Sequence, residues 1–349
     1  MKKNYPIVQD SIKGKKLSMI FSFRNEEDVL EELISRVRLV LVEEKNKNVI
    51  DDFELIFIND SSSDKSEEVL KDMDRGHEDI KIINMSRIFG VSPCVMAGLK
   101  FATGDVAIYM DADLQDPPEL IPKMLELWGQ GDKADVVHTV RSTRAGEPFF
   151  KIQLTKLGYW ILRKVSDIDL IAEAGDFKLV SRRAINHLNR LEEYNPFMRG
   201  LVKWVGFNQE QIFYKREKRF AGDTKFPVIS RKVIGNFFNS ALISFSGTPL
   251  QMASLIGLGG IAISFFMIFF IFLIKIYGIV PPGRAALMTA IMFLGSIQLL
   301  ALGMLGLYVH SIFIMAKQRP NFIIESVYGF SEEELDLLQN TYRNNLQIF

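Results

Sequence analysis

DVAIYMDADLQDPPE, residues 105–119, is the stretch that decides the fold. Asp105–Met110 reads as a buried strand that runs straight into Asp111-Ala112-Asp113. Two runs of the same kind precede it. LSMIFSF at 17–23 leads into Arg24-Asn25-Glu26-Glu27, and FELIFI at 53–58 ends at Asn59-Asp60 in a Ser-rich turn. A shorter strand is predicted at Ile80–Asn84, and helical patterns at Val29–Val42, Lys65–Met73 and Ser92–Ala102 separate the strands. Apolar strands alternating with helices imply an α/β domain with a mainly parallel sheet covered on both faces. Ligands of such sheets collect at the carboxyl ends of the strands. Glu26, Asp60, Asp111 and Asp113 each stand just past a strand end.

The rest of the composition narrows the class. The 349 residues carry 42 Lys+Arg and 42 Asp+Glu, a net charge of zero, so binding nucleic acid through bulk charge is not expected. The single cysteine, Cys94, excludes an intrachain disulfide and a multi-Cys zinc site, and on its predicted helix it reads as a small buried hydrophobe. The four histidines (His77, His138, His187, His310) are scattered, and His310 reads as interfacial. The average hides a partition. Val233–Ala316 holds two formal charges, Lys275 and Arg284, so nearly all the charge lies elsewhere.

That charge-poor segment reads as a membrane part. Ser230–Phe245 has Val233, Phe237, Phe238, Ala241 and Leu242 at helical spacing behind Arg231 and Lys232, the pattern of an amphipathic helix at a bilayer surface. Leu250–Ile274 and Ala285–Met315 are each long enough to cross about 30 Å of hydrocarbon at about 1.5 Å per residue. Residues 275–284 between them form a short turn. Lys and Arg crowd residues 211–232 and recur at Lys317 and Arg319, which predicts that both termini are cytosolic. Residues 1–16 hold five lysines without an apolar run before Leu17, so no signal peptide is expected there. The predicted organisation is a catalytic domain over 1–229, an interface helix over 230–249, a two-helix transmembrane hairpin over 250–316 and a tail over 317–349. Ser331 followed by Glu332-Glu333-Glu334 predicts a capping box opening a short tail helix that ends near Asn345.

Asp111 and Asp113, one residue apart at the end of an apolar strand, cannot both be buried without a counter-charge. A divalent cation supplies one: Mg²⁺ or Mn²⁺ takes one or two carboxylates and completes its shell with water and substrate phosphates. Gln115 is placed to add an amide oxygen. An acidic pair alone is also common in solvated loops; the strand before it and Pro117-Pro118 after it favour the metal reading. Arg219, Gly222, Thr224 and Lys225 combine two cations, a hydroxyl and a hinge just before the predicted interface helix, where a lipid phosphate would meet them. Plain attraction of Lys and Arg to anionic headgroups, about 1 kcal/mol each, is the competing reading for this segment. Arg199, in FMRG at 197–200, is a further phosphate candidate, with a surface ion pair as its alternative.

DADLQDPPE resembles the metal-binding signature of the polyprenyl-phosphate glycosyltransferases of glycosyltransferase family 2, which include dolichyl-phosphate mannose synthases and bactoprenol glucosyltransferases. FRNEE at 23–27, INDSSSD at 58–64, AGLKFATGD at 97–105, GDFKLVSR at 175–182, FMRG at 197–200, RFAGDTKF at 219–226 and KQRPNFII at 317–324 agree in order and spacing, from about Leu17 to Ile324. The chain departs from the family pattern at Ser22, Arg24, Ser61 (usually Gly), Ile88 and Val91, and at Leu307, His310 and Ser311.

The resemblance implies a GT-A nucleotide-diphosphosugar transferase domain on the cytosolic face of the inner (plasma) membrane. It implies that Glu26, Asp60 and Asp111 contact the nucleotide and that Asp111, Asp113 and Gln115 hold Mg²⁺ or Mn²⁺. Asp176 lies where the family keeps an acid near acceptor or sugar. Arg219, Thr224 and Lys225, with Arg199, would hold the acceptor phosphate, and Asp113, Asp176, Arg219 and Lys225 are the expected catalytic group. The implied reaction is an inverting transfer of a hexose from a nucleotide sugar to undecaprenyl (polyprenyl) phosphate. Its product would be a lipid-linked sugar for cell-surface glycans such as lipopolysaccharide O-antigen. UDP-glucose heads the donor candidates, ahead of UDP-galactose, UDP-N-acetylhexosamine and GDP-mannose. A processive polysaccharide synthase would need a Gln-x-x-Arg-Trp motif, which the sequence lacks; a non-catalytic nucleotide-sugar-binding scaffold is the reading from a different class. Relatives with the same two-span anchor make a homo-oligomer, a tetramer, the expected assembly.

Overall fold

The computed structural model describes residues 15–129, 134–141, 171, 174–191, 193, 196–215, 248–276 and 283–341. The chain divides into two compact units. One comprises residues 1–156, 170–228 and 320–349; the other comprises 157–169 and 229–319.

The first unit is built on an eight-stranded sheet. Its strands are β1 (Lys16–Phe23), β2 (Asp52–Asn59), β3 (Ile80–Met85), β4 (Val106–Asp111), β5 (Val136–Arg141), β6 (Ala174–Ser181), β7 (Gln209–Tyr214) and β8 (Ile324–Tyr328). They lie in the order β7-β5-β6-β4-β1-β2-β3-β8. Four of the seven pairings, β1–β2, β1–β4, β2–β3 and β5–β7, are parallel. The other three, β3–β8, β4–β6 and β5–β6, are antiparallel. The mainly parallel α/β architecture read from the sequence is therefore present, with β1, β2, β3 and β4 within one or two residues of expectation.

Helices α1 (Leu30–Asn46), α2 (Ser66–Asp74) and α3 (Val91–Phe101) make the crossovers between those strands. In α1, Leu30, Leu33, Ile34, Val37 and Leu41 form a fully buried stripe at helical spacing against Leu17, Met19, Phe21, Phe57 and Ile108. Each such side chain contributes about 1.5–3 kcal/mol of burial. Helix α4 (Ile121–Gly129) adds Ile121, Met124 and Leu125 to the same core. The opposite face of the sheet is closed by α3, whose approach is set by Gly98: a Cβ there would overlap the Ile20 side chain. Two short helices, α5 (Arg182–Leu188) and α6 (Met198–Trp204), follow β6.

The second unit contains α7 (Thr248–Ile276) and α8 (Gly283–Ala316), both at the places where spans are expected. Among the described residues, Ala290–Ala316 is the one helix long and apolar enough to cross a membrane, and the apolar part of α7, Leu255–Met267, is shorter. The structure thus supports one candidate span where the sequence predicts two. Helix α7 nevertheless exposes Phe265, Phe266, Phe269 and Phe270, each more than half exposed. The predicted interface helix at 230–249 lies outside the described residues apart from its last two.

After α8 the chain continues in the first unit as β8 and then as α9 (Glu332–Thr341). The capping box is formed as predicted: Glu334 N donates to Ser331 Oγ at 3.2 Å, and Ser331 N donates to Glu334 Oε2 at 3.1 Å.

Candidate active site

Three loops meet at the carboxyl ends of β1, β2 and β4. The β1 and β2 loops are laced together. Asn25 N donates to Ser62 Oγ at 3.0 Å, Ser63 N to Asn25 Oδ1 at 2.8 Å, Glu26 N to Ser66 Oγ at 3.0 Å and Lys65 N to Glu27 Oε2 at 2.8 Å. Asn25 and Ser61 both take left-handed backbone conformations, with φ 54° and 57°. Asp60 is buried, and its two carboxylate oxygens accept from Phe89 N at 2.7 Å and Gly90 N at 3.0 Å. It fixes the turn into α3, and its charge, after burial, helps push the Cys94 thiol well above its ordinary range. Cys94 is buried, as its helix position predicts.

The β4 end gathers carboxylates. Leu114 sits in the left-handed region at φ 53°, and Gln115 N donates back to Asp113 Oδ1 at 3.2 Å, so the turn after Asp111 folds on itself. Asp111 accepts from Ser22 Oγ at 3.3 Å, the residue level with it on β1. Its carboxyl is pushed up to about 7, by burial first and then by the neighbouring charges of Asp176, Asp113 and Asp116, against the pull of Arg199. Asp176, on β6, is gripped by Arg199 of α6: Nε donates to Oδ1 at 2.9 Å and Nη2 to Oδ2 at 2.5 Å. Burial opposes its charge, but Arg199, then Lys178 and Arg141, hold it at about 2. Asp116 is buried; it accepts from Tyr214 OH and lies 3.4 Å from Arg141 Nη2. Gly175 gives Arg141 its room, because a Cβ there would stand 3.1 Å from the guanidinium.

Behind this cluster three polar side chains lie level on adjacent strands. Tyr109 of β4 pairs with Lys178 of β6, which pairs with His138 of β5. Alternation along the strands puts them on the face that carries Asp111 and Asp176. All three are buried, and among the described residues Tyr109 OH, Lys178 Nζ and His138 Nδ1 find no hydrogen-bond partner. His138 Nε2 lies 2.9 Å from Gln209 Oε1. Burial, reinforced by the Lys178 charge, drops the His138 imidazole to about 3. The Lys178 ammonium is lowered to about 7 by burial, with Asp176 opposing that drop.

Of the residues singled out by sequence, Glu26, Asp60, Asp111, Asp113 and Gln115 occupy the strand-end loops, and Arg199 and Asp176 form an ion pair beside them. Arg199 is thus in an ion pair, at the site instead of on a remote surface. Arg219, Thr224 and Lys225 lie outside the described residues. Asp116, Arg141, Tyr214 and Lys178 were missed. Asp116 stands within the decisive string itself, whereas Arg141 and Tyr214 reach it only through the pairing of β5 with β7. The donor set around Asp111 is all oxygen, and its carboxyl is raised by burial and by three neighbouring acids, both of which a bound cation would offset. Among the described residues no group of three or more His, Cys, Asp or Glu side chains is arranged to hold a metal. Two carboxylates with substrate phosphates completing the shell is the arrangement Mg²⁺ and Mn²⁺ accept.

Residues 18–188 match the family model described as Glycosyl transferase family 2. The chain is 37% identical over 319 residues to the uncharacterized glycosyltransferase YkcC of Bacillus subtilis, covering 91% of this chain and 96% of that protein. It is 34% identical over 312 residues to the bactoprenol glucosyl transferase of Shigella phage SfV, covering 89% and 98%. Among solved structures, a glucosyl-3-phosphoglycerate synthase from Mycobacterium tuberculosis is similar at a TM-score of 0.44 and 17% identity, over 65% of this chain and 80% of that one.

Proposed function

The chain belongs to glycosyl transferase family 2, and from that premise we propose that it moves a hexose from a nucleotide sugar, UDP-glucose first among the candidates, to a polyprenyl phosphate. The observation that carries the reading is the carboxylate cluster at the end of β4, faced by the Asp176–Arg199 pair. The acceptor class is supported by near full-length similarity to proteins named bactoprenol glucosyl transferases, a similarity that extends past the catalytic strands. The exposed phenylalanines of α7 support a lipid surroundings, since soluble proteins rarely expose a contiguous apolar patch of that size. In this reading residues 1–229 are the cytosolic catalytic domain, 230–249 lie at the interface, 250–316 anchor the chain in the membrane and 317–349 return to the cytosol. A homo-oligomer, a tetramer, is the proposed assembly.

Asp111 and Asp113, with the Gln115 amide oxygen, would hold Mg²⁺ or Mn²⁺, which supplies Lewis-acid stabilisation of the departing diphosphate. Glu26 and Asp60 border the nucleoside; Asp60, tied to the amides of Phe89 and Gly90, shapes that pocket through the α3 turn. The lipid phosphate is already anionic at pH 7 and needs no strong base. One of its oxygens forms the bond to the anomeric carbon from the face opposite the leaving group, and the bond to the diphosphate oxygen breaks with its electron pair. Asp176 suits positioning better than proton abstraction, because Arg199 and its neighbours keep it ionised and doubly hydrogen-bonded. Arg199, with Arg219, Thr224 and Lys225, is the proposed acceptor-phosphate set, contributing orientation and charge.

The test uses the full chain in detergent with undecaprenyl phosphate and a panel of labelled nucleotide sugars, with Mn²⁺, Mg²⁺ or EDTA. Lipid-linked sugar should form from one donor, fail in EDTA and fall at least about a hundredfold in Asp113→Asn, the scale of losing a charge-stabilising group. A wild type inert to every donor, or an Asp113→Asn variant of full activity, would overturn the proposal.

A further inference from the structure

The strand that follows the apolar helices in sequence is tied by side chains to the loops that carry Glu26 and Asp60. β8 pairs antiparallel with β3, placing Ser326 opposite Asn84. Ser86 N donates to Ile323 O at 3.0 Å, Phe322 and Ile324 are buried, and Gly329 turns the chain at φ +78° against the Ile80 carbonyl, where a Cβ would not fit. At the carboxyl end of β3 the buried Asn84 uses both ends of its amide. Its Nδ2 donates to Ser326 Oγ at 2.9 Å and to Glu67 Oε1 at 3.1 Å, while its Oδ1 accepts from Asn59 Nδ2 at 3.0 Å. Asn59, level with it on β2 and also buried, accepts from Ser62 N at 2.8 Å. Ser62 Oγ accepts in turn from Asn25 N at 3.0 Å.

This is one unbroken chain of hydrogen bonds, Ser326–Asn84–Asn59–Ser62–Asn25, across the ends of four strands. Every amide in it has its oxygen and nitrogen assigned by a partner, so no member can flip without breaking two contacts. It ends on the two loops that take left-handed conformations, at Asn25, where asparagine adopts one readily, and at Ser61, where serine leaves it unless its surroundings fix it. Strain of that kind needs external support, and Asn84 supplies it from the β8 side.

We propose that Asn84 and Ser326 are positioning residues: through them the returning strand β8 sets the conformation of the Asn25–Glu26 and Asp60–Ser62 loops, and hence donor binding. The donor part rests on the glycosyl-transfer reading; the coupling of strand to loops does not. Ser326 is exposed, so its loss leaves the core intact.

The experiment compares wild type, Ser326→Ala, Ser326→Thr and Asn84→Ala as full chains. Deuterium exchange should quicken roughly two- to threefold in peptides spanning 24–30 and 59–66 for Ser326→Ala and about tenfold for Asn84→Ala, with α1 and β1 core peptides unchanged. With UDP-glucose as probe, donor KM should rise by the same factors while kcat and acceptor KM hold, and Ser326→Thr should restore wild-type values. Unchanged exchange in those peptides, uniform acceleration throughout the domain, or a fall in kcat at constant KM would overturn the proposal. Quickened local exchange in a protein that transfers sugar from no donor would keep the coupling and remove the glycosyl-transfer reading.

Discussion

Replacing Lys178 with methionine takes a charge out of the middle of a sheet while leaving a side chain of similar length and volume. Lys178 is completely buried, and its ammonium is lowered from 10.5 to about 7, chiefly by burial. At 1.36 kcal/mol per pH unit, that drop corresponds to about 5 kcal/mol of native-state penalty, a ceiling that relaxation reduces to about 2–3 kcal/mol. Between pH 7 and 10.5 the unfolded chain holds a proton on this amine that the folded chain has released, so the unfolded state binds more protons and stability rises with pH. Below pH 7 both states are charged and the penalty stays at its full value. Lys178→Met should therefore raise Tm at pH 7 by roughly 5–10 °C, at about 2–4 °C per kcal/mol for a domain of this size. The gain should shrink steadily toward pH 10. The assay is thermal unfolding of detergent-solubilised protein from pH 6 to 10, followed by tryptophan fluorescence, with Trp128 as a core reporter. The same variant should lose activity, because Asp176 gives up one of the cations that keep it ionised, an exchange of stability for function. A variant less stable at pH 7, or a gain that does not vary with pH, would refute the account of Lys178 as a destabilised buried cation.

Glu54 works in the opposite direction. It accepts from Lys81 Nζ at 2.8 Å and from Thr103 N at 2.8 Å, and although burial opposes its charge, Lys81 foremost holds it at about 2. Its stabilisation is present above pH 4.5 and lost as pH falls toward 2, about 3 kcal/mol in all, so Glu54→Gln should flatten the acid limb of a stability–pH curve and lower stability at pH 7 by about 3–5 kcal/mol. Ser61→Gly should raise stability by up to about 1 kcal/mol, since the left-handed backbone at this position costs serine more than glycine. Chemical denaturation midpoints measure both; a Ser61→Gly variant that is less stable would mean the serine side chain contributes something the turn geometry does not.

The sequence made the first half of the sheet legible because β1, β2 and β4 are apolar runs punctuated by helices of clear period. It predicted none of β5, β6, β7 and β8, and for β6 and β8 the reasons are definable. AGDFKLVS interrupts its apolar alternation with Asp176 and a fully buried lysine, and IESVY is an edge strand whose outward side chains are exposed. Neither carries the pattern that marks a strand, since one was shaped by the site and the other is supported on a single side. Asp111, Asp113 and Asp60 could be singled out because they end or follow apolar strands directly, and the structure places them at those strand ends. The partners of Asp116 were not singled out, because Arg141 and Tyr214 come from strands more than twenty residues distant that meet only in the folded sheet. Position alone did not predict that both Asp60 oxygens would also accept from backbone amides, those of Phe89 and Gly90.

The distribution of charge within the cluster explains why a site with four aspartates can exist and what it is suited to receive. Asp176 is matched by the Arg199 guanidinium, and Asp116 by Arg141 and the Tyr214 hydroxyl. Those two acids are accounted for inside the fold. Asp111 is less well matched: burial first, and then the charges of Asp176, Asp113 and Asp116, raise its carboxyl to about 7 when an isolated aspartate would ionise near 3.8. A diphosphate approaching these carboxylates alone would add negative charge to negative charge, whereas a diphosphate accompanied by a divalent cation would meet Asp111 and Asp113 as ligands. With Asp116 and Asp176 paired inside the fold, Asp111 and Asp113, one residue apart at the strand end, are the carboxylates left to face a cation in the proposed site. In the proposed reaction this would make donor binding depend on the cation, and it would leave Arg199, already committed to Asp176, to act on an acceptor phosphate as part of a pair and not as a lone charge.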